Sequence, residues 1–247
     1  MLALIVTLVV GSGTPSAETA KSYPWNAGAQ RPITLPRGMS ETEFVPGITL
    51  LNPNLQTVDA INFTFALSFR YGITDSVEYA LPAVFSFGFG DHTGRGGWDA
   101  AVHMGISNFG GLMGDPRGVF WLLQLSAGIS VRRMIAHSVA ITGDVGVLSE
   151  VGTLVRGYGG FASIGCVLDL SERWTLDLSV TWIGRRRFET AVWAAEPFWN
   201  SIAVGGLNRP LVAFHLNERW DVLGTVGVRS RVTSSDLVVG AGFNFHM

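Results

Sequence analysis

Taken at every second position, the chain separates into long apolar faces opposed by polar ones. From Ile61 to Tyr71 one face carries Ile61, Phe63, Phe65, Leu67, Phe69 and Tyr71, and the other Asn62, Thr64, Ala66, Ser68 and Arg70. A period of two is the signature of a strand whose two sides meet different surroundings. Val77 to Phe89 repeats it, with Val77, Tyr79, Leu81, Ala83, Phe85, Phe87 and Phe89 opposite Glu78, Ala80, Pro82, Val84, Ser86 and Gly88. Thr74-Asp75-Ser76 between the two runs predicts a tight polar turn. The alternation returns at Val119–Arg132, where Val119, Trp121, Leu123, Leu125, Ala127, Ile129 and Val131 share a face. It returns again at Trp174–Trp182 and at Leu237–Met247. Further strands are expected near 40–51, 98–107, 138–148, 158–170, 202–216 and 220–231. Most reach the roughly 9–11 residues with which a tilted strand crosses a bilayer.

Composition turns this pattern toward a membrane. Hydrophobic residues make up 47% and mean hydropathy is +0.32, yet no stretch approaches the roughly 18–20 unbroken apolar residues of a spanning helix. Lipid leaves a backbone two ways to satisfy its polar groups, a helix or a closed barrel. The expected fold is therefore all-β: a closed, antiparallel, up-and-down transmembrane β-barrel in the outer membrane of a Gram-negative-type bacterium. Thirty-one glycines and fifteen phenylalanines suit tight turns and a lipid-facing surface.

Eleven strands can be read, whereas bacterial single-chain barrels use even numbers. Either the 31–38 region adds a strand, giving twelve, or 98–107 belongs to a loop, giving ten; twelve is the expectation. Pro46, Pro82 and Pro210 interrupt strand-like runs and each predicts a bulge or a strand end. Short turns at 74–76, 133–137, 171–173 and 217–219 are assigned to the periplasm. The longer connections 90–97, 108–118 and 185–200 are assigned to the outside.

The first residues read as export machinery. Leu2 to Val10 is a short apolar core, followed by small residues from Gly11 to Ala17 that suit cleavage. The expected organisation is a signal peptide over 1–20, a periplasmic segment with a possible strand over 21–39, and the barrel over 40–247. A net charge of −2 gives no electrostatic case for nucleic acid. Cys166 is the single cysteine, which excludes an intrachain disulfide and a multi-cysteine metal site. No cofactor is implied.

The inward faces carry charge. Arg70, Glu78, Arg132, Asp144, Asp177, Asp221, Arg229 and Arg231 all fall opposite apolar faces and are candidate lumen-lining residues. Either they pair across the lumen as a structural plug, or they line a wet passage. Two similar segments, Leu170-Ser171-Glu172-Arg173-Trp174 and Leu216-Asn217-Glu218-Arg219-Trp220, each lead from a polar turn into a tryptophan. Trp174 and Trp220 are thus candidates for an aromatic interface girdle.

Nucleophile arrangements are poor. His103 and Ser107 share a face but stand about 13 Å apart along a strand, too far for a direct hydrogen bond, and no acidic partner is visible in sequence. Asp91 and His92 fit a solvated loop. Gly157-Tyr158-Gly159-Gly160 lacks the lysine of a phosphate cradle. Arg185-Arg186-Arg187, at an outer strand end, is a loop charge cluster with the chemistry to meet lipopolysaccharide phosphates.

The last strand resembles the ending of outer-membrane barrels, an alternating apolar strand with a terminal aromatic that the assembly machinery reads. Phe243 and Phe245 match it and Met247 departs from it. The segments Arg31-Pro32-Ile33-Thr34-Leu35-Pro36-Arg37-Gly38 and Tyr71-Gly72-Ile73-Thr74-Asp75-Ser76-Val77-Glu78 are similar to those of small outer-membrane proteins labelled as transporters, including the group associated with phenol-degradation pathways. That resemblance implies a barrel with a transport role and names no solute. The leading expectation is a non-enzymatic channel for passive passage of a small solute, partnered by outer-membrane lipid, lipopolysaccharide and the assembly machinery. The alternatives are a non-conducting barrel with a filled lumen, a barrel-embedded lipid-modifying enzyme, and a soluble secreted β-sandwich.

Overall fold

A computed structural model describes residues 24, 27–52, 61–81, 83–90, 98–108, 122–152, 155–189, 199–205, 211–231 and 235–247. Strand follows strand: β1 (Ser40–Asn52), β2 (Ile61–Thr74), β3 (Val77–Ala80), β4 (Ala83–Gly90), β5 (Trp98–Asn108), β6 (Leu122–Ala136), β7 (Val139–Gly152), β8 (Val155–Ser171), β9 (Trp174–Glu189), β10 (Trp199–Gly205), β11 (Val212–His215), β12 (Trp220–Arg231) and β13 (Ser235–His246). β10 and β11 both lie between β9 and β12, so together they fill one place in the wall. The thirteen segments therefore form a twelve-strand barrel, antiparallel throughout.

β1 pairs with β13 as well as with β2, which closes the sheet and removes its edges at that seam. Ser40 and Met247 exchange backbone hydrogen bonds of 2.7 and 2.9 Å at the bottom of the seam. Strands are strongly staggered. Neighbour-to-neighbour pairing that starts at Thr74, the lowest residue of β2, passes through Phe87, Ile129, Trp182 and Ser230 and arrives at Asn52, the top of β1. Such a stagger accompanies the strand tilt of a barrel.

The outward face is apolar through its middle: Phe85 and Phe87 on β4, Val145 and Val147 on β7, Leu178, Val180 and Trp182 on β9, and Val226 and Val228 on β12 are all exposed. In water this belt would be a severe liability. Around a closed barrel it is the lipid-facing surface, and with an even strand count it makes this an outer-membrane β-barrel. Ser40 and Met247 lie at the end where most connections are short, those after β2, β6 and β8 among them, which assigns that end to the periplasm.

Three expectations need correction. The segment 31–38 supplies no strand. The twelfth comes instead from Val77–Phe89, which reads as one strand but folds into the β3–β4 hairpin, reversing at Leu81 beside Pro82. That extra reversal moves the 91–97 connection: Gly90 pairs with Asp99, so it joins strand ends at the periplasmic end, not outside. Pro46 stays within β1, where the β1–β13 ladder skips Val45 and Pro46 while the β1–β2 ladder continues. A residue without an N–H is tolerated at such a gap. The signal-peptide region 1–20, Pro82, Pro210 and the connection 109–121 lie outside the described residues.

Candidate functional site

The inward charges converge on a segment of the chain itself. Residues 27–39 form a strap that enters the periplasmic mouth, makes one 3₁₀ turn (Gly28–Gln30) and crosses from the β8 side to β1. The 3₁₀ turn and residues 31–38 have no ladder for their backbone groups, and buried groups of this kind need partners. The wall supplies them. Ala29 donates its amide to Asp169 (3.2 and 3.0 Å to the two oxygens), Ile33 to Asp99 (2.6 Å), Leu35 to Glu78 (2.8 Å) and Arg37 to Asp75 (3.1 Å). Two wall arginines treat the strap's carbonyls in the same way: Arg132 donates to the Gly28 oxygen and Arg70 to that of Ile33 (2.6 Å). Anionic acceptors for amides and cationic donors for carbonyls are the stronger form of these bonds.

Arg70 organises the far side. Its guanidinium holds Glu78 with two bonds (2.9 and 2.7 Å) and Glu41 with a third (3.0 Å), so two buried carboxylates share one cation. The strap's own Arg31 reaches Glu41 (3.3 Å) and Asp221 (3.4 Å). Asp221 in turn is flanked by His215 and His246, each 2.7 Å away, and Asn244 donates to Glu41 (2.6 Å). The apolar residues of the strap are as buried as the polar ones. Ala29 packs against Ala140 and Val167, and Leu35 against Met39. Gly72 of β2 lies directly against the strap: a Cβ there would run into the Pro36 and Leu35 carbonyl oxygens. Gly38, with φ of 80°, then turns the chain into β1, a conformation that favours glycine.

Above the strap the wall changes character. The inward positions through the middle of β6 to β9 set small residues against large ones: the His103 ring lies over Gly128 and the Phe161 ring over Gly146, 6.1 Å between ring centres, beside Ser126, Ser163, Gly165 and Ser179. His103 lies over this stretch. It hydrogen-bonds Asp144 of β7 (3.0 Å) by reaching across β6 at Gly128, where an added Cβ would come within 2.8 Å of its ring. Asp144 also accepts from Ser130 (3.3 Å).

Of the sequence-predicted lumen residues, Arg70, Glu78, Arg132 and Asp221 thus meet the strap or its immediate partners. Asp144 sits higher, with His103 and Ser130, and Asp177 is half-buried on β9 beside β11, its amide bonded to the Leu211 oxygen (2.8 Å). Arg229 and Arg231 lie on β12, their side chains outside the described set. Sequence reading missed Arg31, Glu41, Asp99, Asp169, His215 and His246. His246 and Asn244 stand opposite the apolar face of the last strand, so their inward position is available from the alternation; what they meet is not. Trp174 (45% exposed) and Trp220 (41%) face outward at the periplasmic starts of β9 and β12. Trp220 stacks near Phe245 (4.6 Å between ring centres) and Phe243 (5.8 Å), and Trp174 near Phe214 (4.7 Å).

His103 and Ser107 do not meet; Ser107 donates to the Gln124 carbonyl oxygen (3.3 Å), and the acidic partner absent from the local sequence is Asp144. A relay-like row does exist elsewhere: Thr175 Oγ1 lies 2.9 Å from His215 Nε2, and His215 Nδ1 lies 2.7 Å from Asp221. Thr175 Oγ1 also donates to Asp169 (2.8 Å) and is buried under the strap. Among the described residues no group of three or more His, Cys, Asp or Glu side chains is arranged to hold a metal ion.

No protein-family model matches this chain, and a comparison with curated proteins finds no match. Among solved structures it is similar to the KdgM porin, at 8% identity and a TM-score of 0.44, over 83% of this chain and 98% of that one. It is also similar to OmpT, an outer membrane protein of Vibrio cholerae, at 8% identity and a TM-score of 0.40, over 84% and 96%. A third similarity is to a mutant of the TodX monoaromatic hydrocarbon channel, at 8% identity and a TM-score of 0.43, over 94% of each chain.

Proposed function

We propose that the protein is an outer-membrane conduit for passive passage of a small solute, with no catalytic step, whose periplasmic mouth is governed by the strap. The observation that carries this reading is the strap that fills the mouth. Large charged side chains crowd the mouth and are taken up by a segment of the chain that belongs to no strand of the sheet. Because the strap is held mainly by side-chain bonds and not by a ladder, the closure it supplies is separable from the wall. The transport role carried by the resemblance to phenol-degradation-associated proteins agrees with it. Within the same reading, Trp174 and Trp220 anchor the periplasmic interface, Phe243 and Phe245 present the assembly signal, and Arg185–Arg187 meet lipopolysaccharide at the outer rim.

The test is swelling of proteoliposomes in arabinose. Protein lacking residues 27–37 should admit the sugar several times faster than the intact chain. A strap-deleted barrel that is folded and still excludes arabinose would show a lumen filled by its own side chains, and the conduit reading would fall.

A further inference from the structure

Two kinds of carboxylate line the mouth. Glu78 and Glu41 are bonded to Arg70, a residue of the wall, and keep that cation wherever the strap goes. Asp221 differs. It is 1% exposed, and among the described residues the only arginine or lysine in ion-pair reach is Arg31 of the strap, 3.4 Å away. Its other partners are two imidazoles, those of His215 and His246. Withdrawal of the strap would leave this buried carboxylate without a fixed countercharge, which is costly unless another cation takes the place.

The place suits a planar cation with donors on two sides. Arg31 sets one terminal nitrogen on Glu41 Oε1 (3.3 Å) and the other on Asp221 Oδ2 (3.4 Å), so its guanidinium bridges β1 and β12. Both contacts are longer than the 2.7–3.0 Å at which Arg70 holds its carboxylates. They are also longer than the roughly 2.7–2.9 Å usual for such pairs. The strap's own cation is thus a loose fit, and its side chain stays 18% exposed where that of Asp221 is 2%. Glu41 Oε1 also takes the Asn244 amide nitrogen (2.6 Å). The oxygen of that same amide is buried and, among the described residues, has no hydrogen-bond donor. An acceptor left over beside two carboxylates suits a ligand that brings one more N–H than Arg31 delivers.

Resting on the conduit reading, we propose that the seat between Glu41 and Asp221 is a binding site for the solute, and that the solute is a small organic cation carrying a guanidinium group. Arg31 is then a tethered stand-in. It holds the strap over the mouth until a free guanidinium takes both carboxylates, and it recloses the mouth when that cation leaves. Neither step strands Asp221 without a countercharge. A neutral solute has no charge with which to replace Arg31, and an anion is repelled by the two carboxylates. A competitor tethered by a short segment acts at about millimolar effective concentration, which sets the range in which a free cation competes.

Two measurements on the full chain test this, both at about pH 8, above the ordinary imidazole range. Isothermal titration of ethylguanidinium chloride into the detergent-solubilised protein reads the seat. Arg31→Ala should bind the cation saturably and at least tenfold more tightly than the wild-type chain, and Asp221→Asn added to Arg31→Ala should abolish binding. Gly72→Val, which displaces the strap with Arg31 still on it, is a second background and should also bind more tightly than wild type. No saturable binding in either background, or binding that survives Asp221→Asn, overturns the site. Uptake of radiolabelled ethylguanidinium into proteoliposomes reads the solute. Through the wild-type barrel it should be saturable and several times faster than that of arabinose. Equal entry of the two, in a barrel whose strap-deleted form admits arabinose, overturns the solute class and leaves the conduit standing. A folded, strap-deleted barrel that excludes both overturns the conduit itself.

Discussion

Arg70 carries more of the mouth than any other single side chain. It holds Glu78 by two parallel bonds, Glu41 by a third and the Ile33 carbonyl of the strap by a fourth. Removing one partner of a buried ion pair is costly because the other charge stays behind, and here two carboxylates would stay. Arg70→Ala should lower unfolding stability in urea by about 3 kcal/mol, read from the loss of the compact band on detergent gels. Arg70→Lys should recover little of that, since an ammonium is a point charge without the two-pronged geometry that Glu78 uses. Full recovery by lysine would show that charge alone is needed. The inward position of Arg70 follows from the Ile61–Tyr71 alternation. Its partners do not, because Glu41, Glu78 and Ile33 come from three other segments, and a period-two pattern fixes which way a side chain points without fixing what it meets.

Among the elements, the strap and the β3–β4 hairpin are the two that the alternation does not deliver. Residues 31–38 have no period, and only the need for an even strand number argues for a strand there. They are held by side chains from β2, β3 and β5, with no ladder of their own. Val77–Phe89 alternates perfectly, and it continues to do so across the reversal because both arms of the hairpin keep their apolar residues outward; Tyr79 and Phe85 end up side by side, 5.4 Å between ring centres. Proline at position 82 is the available signal. Since β1 begins at Ser40 and is bonded to β2 and β13 from its first residue, the barrel does not require the strap in order to close. A chain lacking residues 27–37 should still fold and show heat-modifiable migration on gels. Failure to do so would make the strap a folding element and not a closure.

For the whole molecule the legible part is the outside. Phe, Leu, Val and Trp at alternate positions specify a lipid belt, and that belt is what the barrel presents. The same belt has a testable depth. Trp174 and Trp220 should be quenched best by lipids brominated near the headgroup, and Trp182, midway along β9, by lipids brominated deep in the acyl chain. A reversed order would remove Trp174 and Trp220 from the interface. The inside is legible as polar and charged, and the gathering of its charges at the mouth emerges only when the staggered strands are laid side by side. Charges far apart in sequence are then at one level, gathered around a segment that the alternation alone leaves outside the barrel.

Closure of the barrel by a separable strap is tested most directly by single-channel recording in planar bilayers. Gly72 abuts the strap backbone with no space for a side chain, so Gly72→Val should displace the strap while leaving the inner wall as it is. Little or no steady current is expected from the wild-type protein, and stable, stepwise conductance from the Gly72→Val barrel under the same salt and voltage. Equal behaviour of the two, both silent or both open, in a folded Gly72→Val protein would contradict it.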